Sequence, residues 1–367
     1  MNVAFDLTSL CRPWTGTERY SHEVAKALVT HYPSIHFTLL FRRFVHHDFS
    51  SPLSNVSKLL SPFKSQLLTE QIWIPGVVNR LRPTVAHFPF FPPGLMVRTP
   101  FVFNLFDANL WRHPETLSFR TRVYTKPLAE RALRHAKHVV TISDAAAEDI
   151  ARYTILEPAT ILNAGTGFFT PDTIPSADDQ ASVLRRLRVD RPFILAVGTL
   201  EPRKNYPLLI RAFRAYVGAD GGRDRQLVIA GRTGWGVQEI REAIREHGVD
   251  NQVVLPGHVS DTDLTALYLN AACLVLPSIY EGFGLPVLEA LALGTPVIAS
   301  RIEPLRTLLA AECRFFTPGD ADSLRDALVA TLSGSSSAPR QPRTGLAQRF
   351  AWRSVADALV GLYRSMA

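Results

Sequence analysis

Ser278-Ile279-Tyr280-Glu281-Gly282-Phe283-Gly284-Leu285-Pro286-Val287-Leu288-Glu289-Ala290, running on into Leu291-Ala292-Leu293-Gly294-Thr295-Pro296-Val297, joins a strand to a helix through a glycine loop. The strand is Cys273-Leu274-Val275-Leu276, a short apolar run of the kind that lies inside a parallel sheet. Pro286 suits the first position of the helix, and Gly294 ends it. Gly282 and Gly284 let the backbone come close to a ligand. The amides around Gly284, which include those of Phe283 and Leu285, turn the positive end of the helix dipole towards it. Such an arrangement suits phosphate. Glu281 is expected at the mouth of the loop and Glu289 on the first turns of the helix, so that both carboxylates reach one bound molecule from different levels. A carboxylate pair beside an anion site fits a nucleotide bearing hydroxyl groups.

A second segment has the same form. Phe193-Ile194-Leu195-Ala196-Val197 reads as a buried strand, followed by Gly198-Thr199-Leu200-Glu201-Pro202-Arg203-Lys204-Asn205 and an amphipathic helix through Leu208, Leu209 and Phe213. Arg203 and Lys204 therefore emerge at the carboxyl end of a strand, where ligands bind in open α/β sheets. Arg offers a planar fork and Lys a point charge, and together they match the charge that builds on a departing nucleoside diphosphate.

The glutamate, seven residues, glutamate spacing from Glu281 to Glu289 resembles the motif of retaining glycosyltransferases with the GT-B fold, in particular the GT-4 family of mannosyl- and glucosyltransferases. Glu201-Pro202-Arg203-Lys204-Asn205 is similar to a second motif of that family. The resemblance implies an α/β chain of GT-B form, with two Rossmann-like, doubly wound domains facing a central cleft. It gives the diphosphate to Arg203 and Lys204, the ribose to Glu289, and the sugar and diphosphate to Glu281. Val228-Ile229-Ala230-Gly231-Arg232-Thr233-Gly234-Trp235-Gly236 and the run from His258 to Tyr268 also resemble the family's donor domain, which adds Gly198, Gly231 and His258 to the nucleotide contacts and places the base near residues 257–260. Ser260 reads as a helix cap, and Trp235 reads as a packing residue. The family generally works without a metal, and the chain carries no Asp-x-Asp motif, so the implied requirement is a GDP- or UDP-linked sugar donor with no metal and no further cofactor.

The composition agrees. At 367 residues the chain exceeds one hydrophobic core, and 46% apolar with 20% charged residues is globular. Every apolar run is interrupted before the ~20 residues needed to span a bilayer. Met1-Asn2-Val3-Ala4-Phe5-Asp6 enters a strand directly, without the pattern of a signal peptide. Cys11, Cys273 and Cys313 are scattered, which predicts neither a disulfide framework nor a zinc site and suits a cytoplasmic setting.

Strands and helices alternate twice, with strands expected near 2–7, 36–41, 85–88, 101–105, 138–142 and 159–163, and again near 192–198, 226–231, 252–256, 273–276, 296–299 and 314–316. The polar, proline-containing stretch 170–179 reads as a linker. The expected division is an acceptor-binding domain over 1–170, completed by a C-terminal helix over 345–367, and a nucleotide-sugar domain over 185–335. That last helix is expected to run about twenty residues after the polar stretch 333–343.

Charge is uneven. Residues 1–170 hold 18 Lys and Arg against 12 Asp and Glu, whereas 171–367 hold 22 against 21. Arg120, Arg122, Lys126, Arg131, Arg134 and Lys137 share one helical stretch, and Lys58, Lys64, Arg80 and Arg82 flank another that carries Leu67, Leu68, Ile72 and Trp73. A basic, partly apolar face suits an anionic membrane surface, and a plain solvated helix face is the reading beside it. No nucleic-acid recognition module is present, so nucleic acid is not an expected partner.

The first half departs from the family pattern. In Cys11-Arg12-Pro13-Trp14-Thr15-Gly16-Thr17-Glu18, Gly16 can bring amides to the phosphates, but Glu18 stands where relatives have a second glycine. In Val102-Phe103-Asn104-Leu105-Phe106-Asp107, Phe106 replaces a family histidine that commonly contacts the sugar, which leaves Asp107 as the catalytic candidate near the acceptor. His87 is placed at a strand end facing the cleft, with a structural role as the commoner alternative. The implied reaction is retaining transfer of mannose or a similar hexose to a hydroxyl of a lipid-linked or growing bacterial surface polysaccharide, by an enzyme that is cytoplasmic or peripheral on the inner face of the plasma membrane. A sugar-nucleotide epimerase or hydrolase of the same fold, or a catalytically silent partner in polysaccharide assembly, are the alternatives.

Overall fold

The computed structural model describes residues 1–11, 15–43, 54–171, 173–218, 224–333, 342–343 and 345–367. Arg12, Pro13 and Trp14 of the first glycine loop, Asp172 and most of the polar stretch 333–343 lie outside the described residues. The chain forms two compact units, Met1–Gly167 with Phe350–Ala367, and Phe168–Arg349.

The first unit is built on a seven-stranded parallel sheet of β1 (Asn2–Asp6), β2 (His36–Phe41), β3 (Val56–Leu60), β4 (Val85–Phe88), β5 (Phe101–Asn104), β6 (His138–Thr141) and β7 (Ile161–Asn163), in the order β3-β2-β1-β4-β5-β6-β7. Strand order reverses between β1 and β4, which pair with Phe5 opposite His87. The inner strands read as continuous apolar runs because helices cover both faces of a parallel sheet, and Val3, Phe5, Val85, Val102, Phe103, Val139 and Val140 are fully buried. The strand β3 has no counterpart in the sequence reading. It is an edge strand whose residues are only half-buried, with Lys58 at its centre, so it lacks the apolar run that marks its neighbours.

The second unit repeats the plan with six parallel strands, β8 (Phe193–Val197), β9 (Gln226–Ala230), β10 (Val253–Gly257), β11 (Cys273–Leu276), β12 (Val297–Ser300) and β13 (Arg314–Phe316), in the order β10-β9-β8-β11-β12-β13. Here the reversal falls between β8 and β11. Open parallel sheets bind ligands beyond the carboxyl ends of their strands at such a reversal. The two quoted motifs follow β8 and β11. Ahead of β8, a helix begins at Ala177, inside the stretch that reads as linker, because the Ser176 hydroxyl accepts a hydrogen bond from the Asp179 amide.

The C-terminal segment of about twenty residues is two helices, Gly345–Arg349 and Trp352–Ser365, separated at Phe350 and Ala351. The longer one belongs to the first unit. Its Val355, Leu359 and Tyr363 are buried, Tyr32 donates to Asp357 at 2.5 Å, and Trp352 lies so close to Gly167 that a Cβ there would come within 2.5 Å of the indole.

Candidate active site

After β8 the chain makes a short 3-10 turn, Pro202–Lys204, and Asn205 takes a left-handed conformation (φ 51°) before the helix Tyr206–Gly218. This turn swings Arg203 and Lys204 back towards β11. The main chain ties the two loops together, with the Ile279 amide donating to the Arg203 carbonyl at 3.0 Å. Side chains complete the junction. Lys204 Nζ donates to Glu281 Oε1 at 2.7 Å, and Arg203 Nη1 donates to Glu281 Oε2 at 3.0 Å and to the Tyr280 carbonyl at 2.8 Å. Glu201 takes the other edge of the guanidinium, at 2.7 Å from Nη2, and Ser278 Oγ donates to Glu281 at 2.6 Å.

Glu281 therefore does not stand at the mouth of the loop. It is 7% exposed and lies beneath the two cations, each of its oxygens engaged by one of them. The sequence reading assigned it to the ligand; the reason for its burial is that a buried charge needs an opposite charge and hydrogen bonds around it. Burial works to raise its pKa, but the charges of Lys204 and then Arg203, with bonds from Lys204 and Ser278, outweigh that and bring it down to about 2. Two cations and two carboxylates thus form one locked cluster at the switch point.

The glycines act mainly through packing. Gly198 (φ 149°) lies under Lys204, where a Cβ would come within 3.0 Å of both Lys204 Cε and the Tyr206 hydroxyl, and a Cβ on Gly231 would overlap the Gly198 carbonyl at 1.9 Å. Both were read as nucleotide contacts; in the structure each makes room for a neighbour at the carboxyl ends of β8 and β9. Gly284 caps the helix Leu285–Ala292 at φ 93°, a conformation that a side chain would strain, and Leu305 fills the space a Cβ would need. Leu285 opens the helix, so Pro286 takes its second position rather than its first. Phe283 is buried in the loop before it.

Glu289 lies on that helix and is nearly buried. Tyr268 donates to its Oε2 at 2.8 Å, and Thr295 Oγ1 fixes Tyr268 by donating to the Tyr268 carbonyl at 2.7 Å. His258 is exposed just beyond β10, after Gly257 (φ 77°), whose carbonyl accepts from the Gly231 amide at 2.9 Å. Ser260 caps the next helix by accepting from the Asp263 amide. Trp235, read as a packing residue, is 45% exposed.

Ser278, Glu201 and Tyr268 were not singled out in the sequence. Ser278 and Glu201 stand inside the two quoted motifs, where polarity beside a charged residue was the available signal. Tyr268 carries no local signal, because it meets Glu289 only through the fold.

In the first unit the candidates fall at the corresponding strand ends. Gly16 is the exposed first residue of the helix Gly16–His31, and Thr15 and Glu18 form a capping box in which Glu18 bonds back to the Thr15 amide at 3.2 Å. Glu18 is fully buried, so its place in the glycine loop has a structural use at the helix start. Asp107, after β5, accepts from the Asn109 amide at 2.9 Å. Phe106 packs edge-on against Tyr20, with ring centroids 5.0 Å apart. His87 does not face open space. It is fully buried, with Nε2 2.6 Å from Asn104 and Nδ1 against the Tyr363 hydroxyl, and burial pushes its pKa down to about 4 despite the bond to Asn104.

The second unit thus brings two cations, their partner carboxylates and a helix N-terminus together at its switch point. Residues 180–344 match the family model of glycosyl transferases group 1. The chain is 27% identical to O-antigen chain mannosyltransferase B of Escherichia coli, over 99% of its own length and 100% of that protein's. In three dimensions it is similar to sucrose-phosphate synthase from Thermosynechococcus elongatus (TM-score 0.73, 20% identity, 100% and 98% of the two chains) and to HepE from Anabaena in complex with UDP and glucose (TM-score 0.71, 19% identity, 100% of both). The chain is a glycosyltransferase of the GT-B fold, and residues 180–344 carry its likeness to the group 1 glycosyl transferases.

Proposed function

We propose that this glycosyltransferase moves a hexose, mannose first among the candidates, from a GDP- or UDP-linked donor to a hydroxyl of a lipid-linked or growing bacterial surface polysaccharide, with retention at the anomeric carbon. The observation that carries this reading is the cluster of Arg203, Lys204, Glu281 and Glu201 at the β8–β11 reversal, beside the N-terminus of the helix Leu285–Ala292. Arg203, Lys204 and the amides at Gly284 and Leu285 supply positive charge where a departing diphosphate gathers negative charge. Glu281 is a positioning residue: it holds both cations in one geometry so that little rearrangement accompanies the reaction. Glu289, oriented by Tyr268, offers its carboxylate to the ribose hydroxyls, and His258 stands by the base. Asp107 and Gly16 are assigned to the acceptor and the phosphates from the first unit. The mannose preference is supported by the E. coli relative, and the UDP option by the HepE complex.

The test is turnover of GDP-mannose, UDP-glucose and UDP-N-acetylglucosamine with extracted polysaccharide primers, the anomeric configuration being read by proton NMR. An α-linked product from an α-donor supports retention. Release of a modified or free sugar with no acceptor present would favour an epimerase or hydrolase. Nucleotide binding without turnover would favour a silent assembly partner, a reading for which Phe106 in place of the family histidine is the motivation.

A further inference from the structure

Two helical segments of the first unit, Gln66–Leu81 and 119–135, lie against each other through a polar seam. Tyr124 donates to Glu70 at 2.9 Å and accepts from Gln71 at 3.2 Å, and Arg120 reaches Gln66 at 3.4 Å. The loop between β4 and β5 is pinned across both: the Leu95 amide donates to Gln71 at 3.0 Å, and its carbonyl accepts from Arg131 at 2.6 Å. Gly94 presses on the first segment so closely that a Cβ would lie 2.3 Å from the Glu70 carbonyl. These three pieces form one surface with fixed geometry.

The outer side of that surface is apolar where it could be polar. Phe119 is 80% exposed, and Val123, one turn on, is more than half exposed. On the neighbouring segment Leu67 and Ile72 are about half exposed, and Leu95 and Met96 in the pinned loop match them. Most large exposed hydrophobic side chains among the described residues of the first unit gather here. Each segment also contains a π turn, Thr69–Trp73 and Thr121–Thr125. Ile72 and Val123 lie within these turns, a feature frequent at functional sites. Stretches 62–82, 93–98 and 118–137 hold ten Lys and Arg against two carboxylates, Glu70 and Glu130, and Glu70 is buried. Scattered apolar residues need no explanation, but exposed apolar residues carried on three segments pinned to one another and interspersed with cations suit an anionic lipid surface.

We infer that this face docks the enzyme on anionic phospholipid, with Phe119, Val123, Leu67 and Ile72 entering the headgroup boundary and Arg120, Arg122, Lys126 and Lys64 meeting phosphate. The inference deepens the lipid-linked acceptor reading above, but its observations are independent of the nucleotide site. No helix among the described residues is long and apolar enough to cross a membrane.

Co-sedimentation of the full chain with vesicles of phosphatidylcholine alone and of phosphatidylcholine with about a quarter phosphatidylglycerol tests it. Binding should be confined to the anionic vesicles and fall sharply between about 0.1 M and 0.5 M salt. Arg120→Gln with Arg122→Gln should weaken it about 30-fold, two cations being removed. Phe119→Ser with Val123→Ser should weaken it about tenfold with the salt dependence kept. Equal binding to both vesicles, no binding to either, or double variants that bind like the parent would overturn the inference. A parent that is dimeric in solution, with both variants monomeric, would assign the face to a second copy instead. Nucleotide-induced thermal shifts measured on the same samples keep the two readings apart: vesicle binding lost with the shift retained leaves the transferase site untouched.

Discussion

The two units share one topology and put different chemistry at the same place in it. Beyond the reversal in the second sheet, four charged side chains, Glu201, Arg203, Lys204 and Glu281, are locked together with little exposure. At the reversal in the first, a buried neutral chain runs from Asn104 to His87 to Tyr363. A cluster of opposite charges fixes the positions of its own donors. The neutral chain instead fixes the helix Trp352–Ser365 to β4. The same fold thus carries a charged cluster at one sheet end and a neutral hydrogen-bonded chain at the other, and the difference lies in a handful of side chains.

The largest expected effect comes from unbalancing the charged cluster. Glu281→Gln leaves Lys204 and Arg203 buried beside a neutral amide and should lower the unfolding free energy by about 3–5 kcal/mol, read by urea denaturation, with loss of transferase activity. The corresponding change in the first unit, His87→Gln, keeps a neutral hydrogen-bonding group and should cost less, about 1–2 kcal/mol. If the two variants were equally destabilised, the contrast between the units would be wrong.

Gly231→Ala comes next. Its methyl would meet the Gly198 carbonyl, and the resulting shift of the β8 and β9 ends should cost about 2–3 kcal/mol and raise the KM for donor. Gly165→Ala, in the first unit, meets no atom within 4 Å but sits at φ 74°, so its cost should be the smaller one of backbone strain, about 1 kcal/mol.

Acid should separate the units as well. His87, held at about 4 against an ordinary 6.5, contributes stability that is present above pH 6.5 and is lost as pH falls towards 4. Asp6, raised by burial to about 6 from 3.8 against the opposing bonds from Thr8, runs the other way: its contribution is present below pH 3.8 and is lost as pH rises through 6. The two oppose each other across that interval. His87→Gln should therefore remove one side of the balance, and the variant should gain stability relative to the parent as pH falls from about 6.5 to 4. Glu281, brought down to about 2, acts lower: its contribution is present above pH 4.5 and is lost as pH falls towards 2. Chemical denaturation at a series of pH values would show whether the windows are distinct.

The smallest effect is at Tyr268. Removing its hydroxyl in Tyr268→Phe frees Glu289 from one bond, and about 1 kcal/mol of stability should go with it. Its KM for donor should rise more than kcat falls, since the hydroxyl acts through Glu289.

Much of this was legible in the chain. Apolar runs bounded by glycine and proline marked the inner strands, and the loops after β8 and β11 announced themselves through cations and carboxylates beside glycine. The helix start at Ser260 followed from local chemistry, and the one after Gly284 was read a residue late, with Pro286 in first position. Pairing across the fold was not legible. Nothing near Glu281 indicates that residues 77 and 78 positions earlier will engage both its oxygens, and nothing near Tyr268 points to Glu289. His87 gave no sign of being sealed by a tyrosine 276 residues later. The β3 strand was missed because edge strands carry the mixed, half-exposed pattern of loops, and the break at Phe350 because helical spacing continues through it.

The central claim is that the charged cluster and Glu289 bind a nucleoside diphosphate. A thermal-shift series with GDP, UDP, ADP and TDP measures it directly. Ligand at ~100 times its dissociation constant adds about 2.7 kcal/mol to the native state. A raised midpoint selective for one of the four, abolished in Arg203→Ala and in Glu289→Ala, is the predicted result. No shift with any nucleotide, or a shift that both variants retain, would contradict the account.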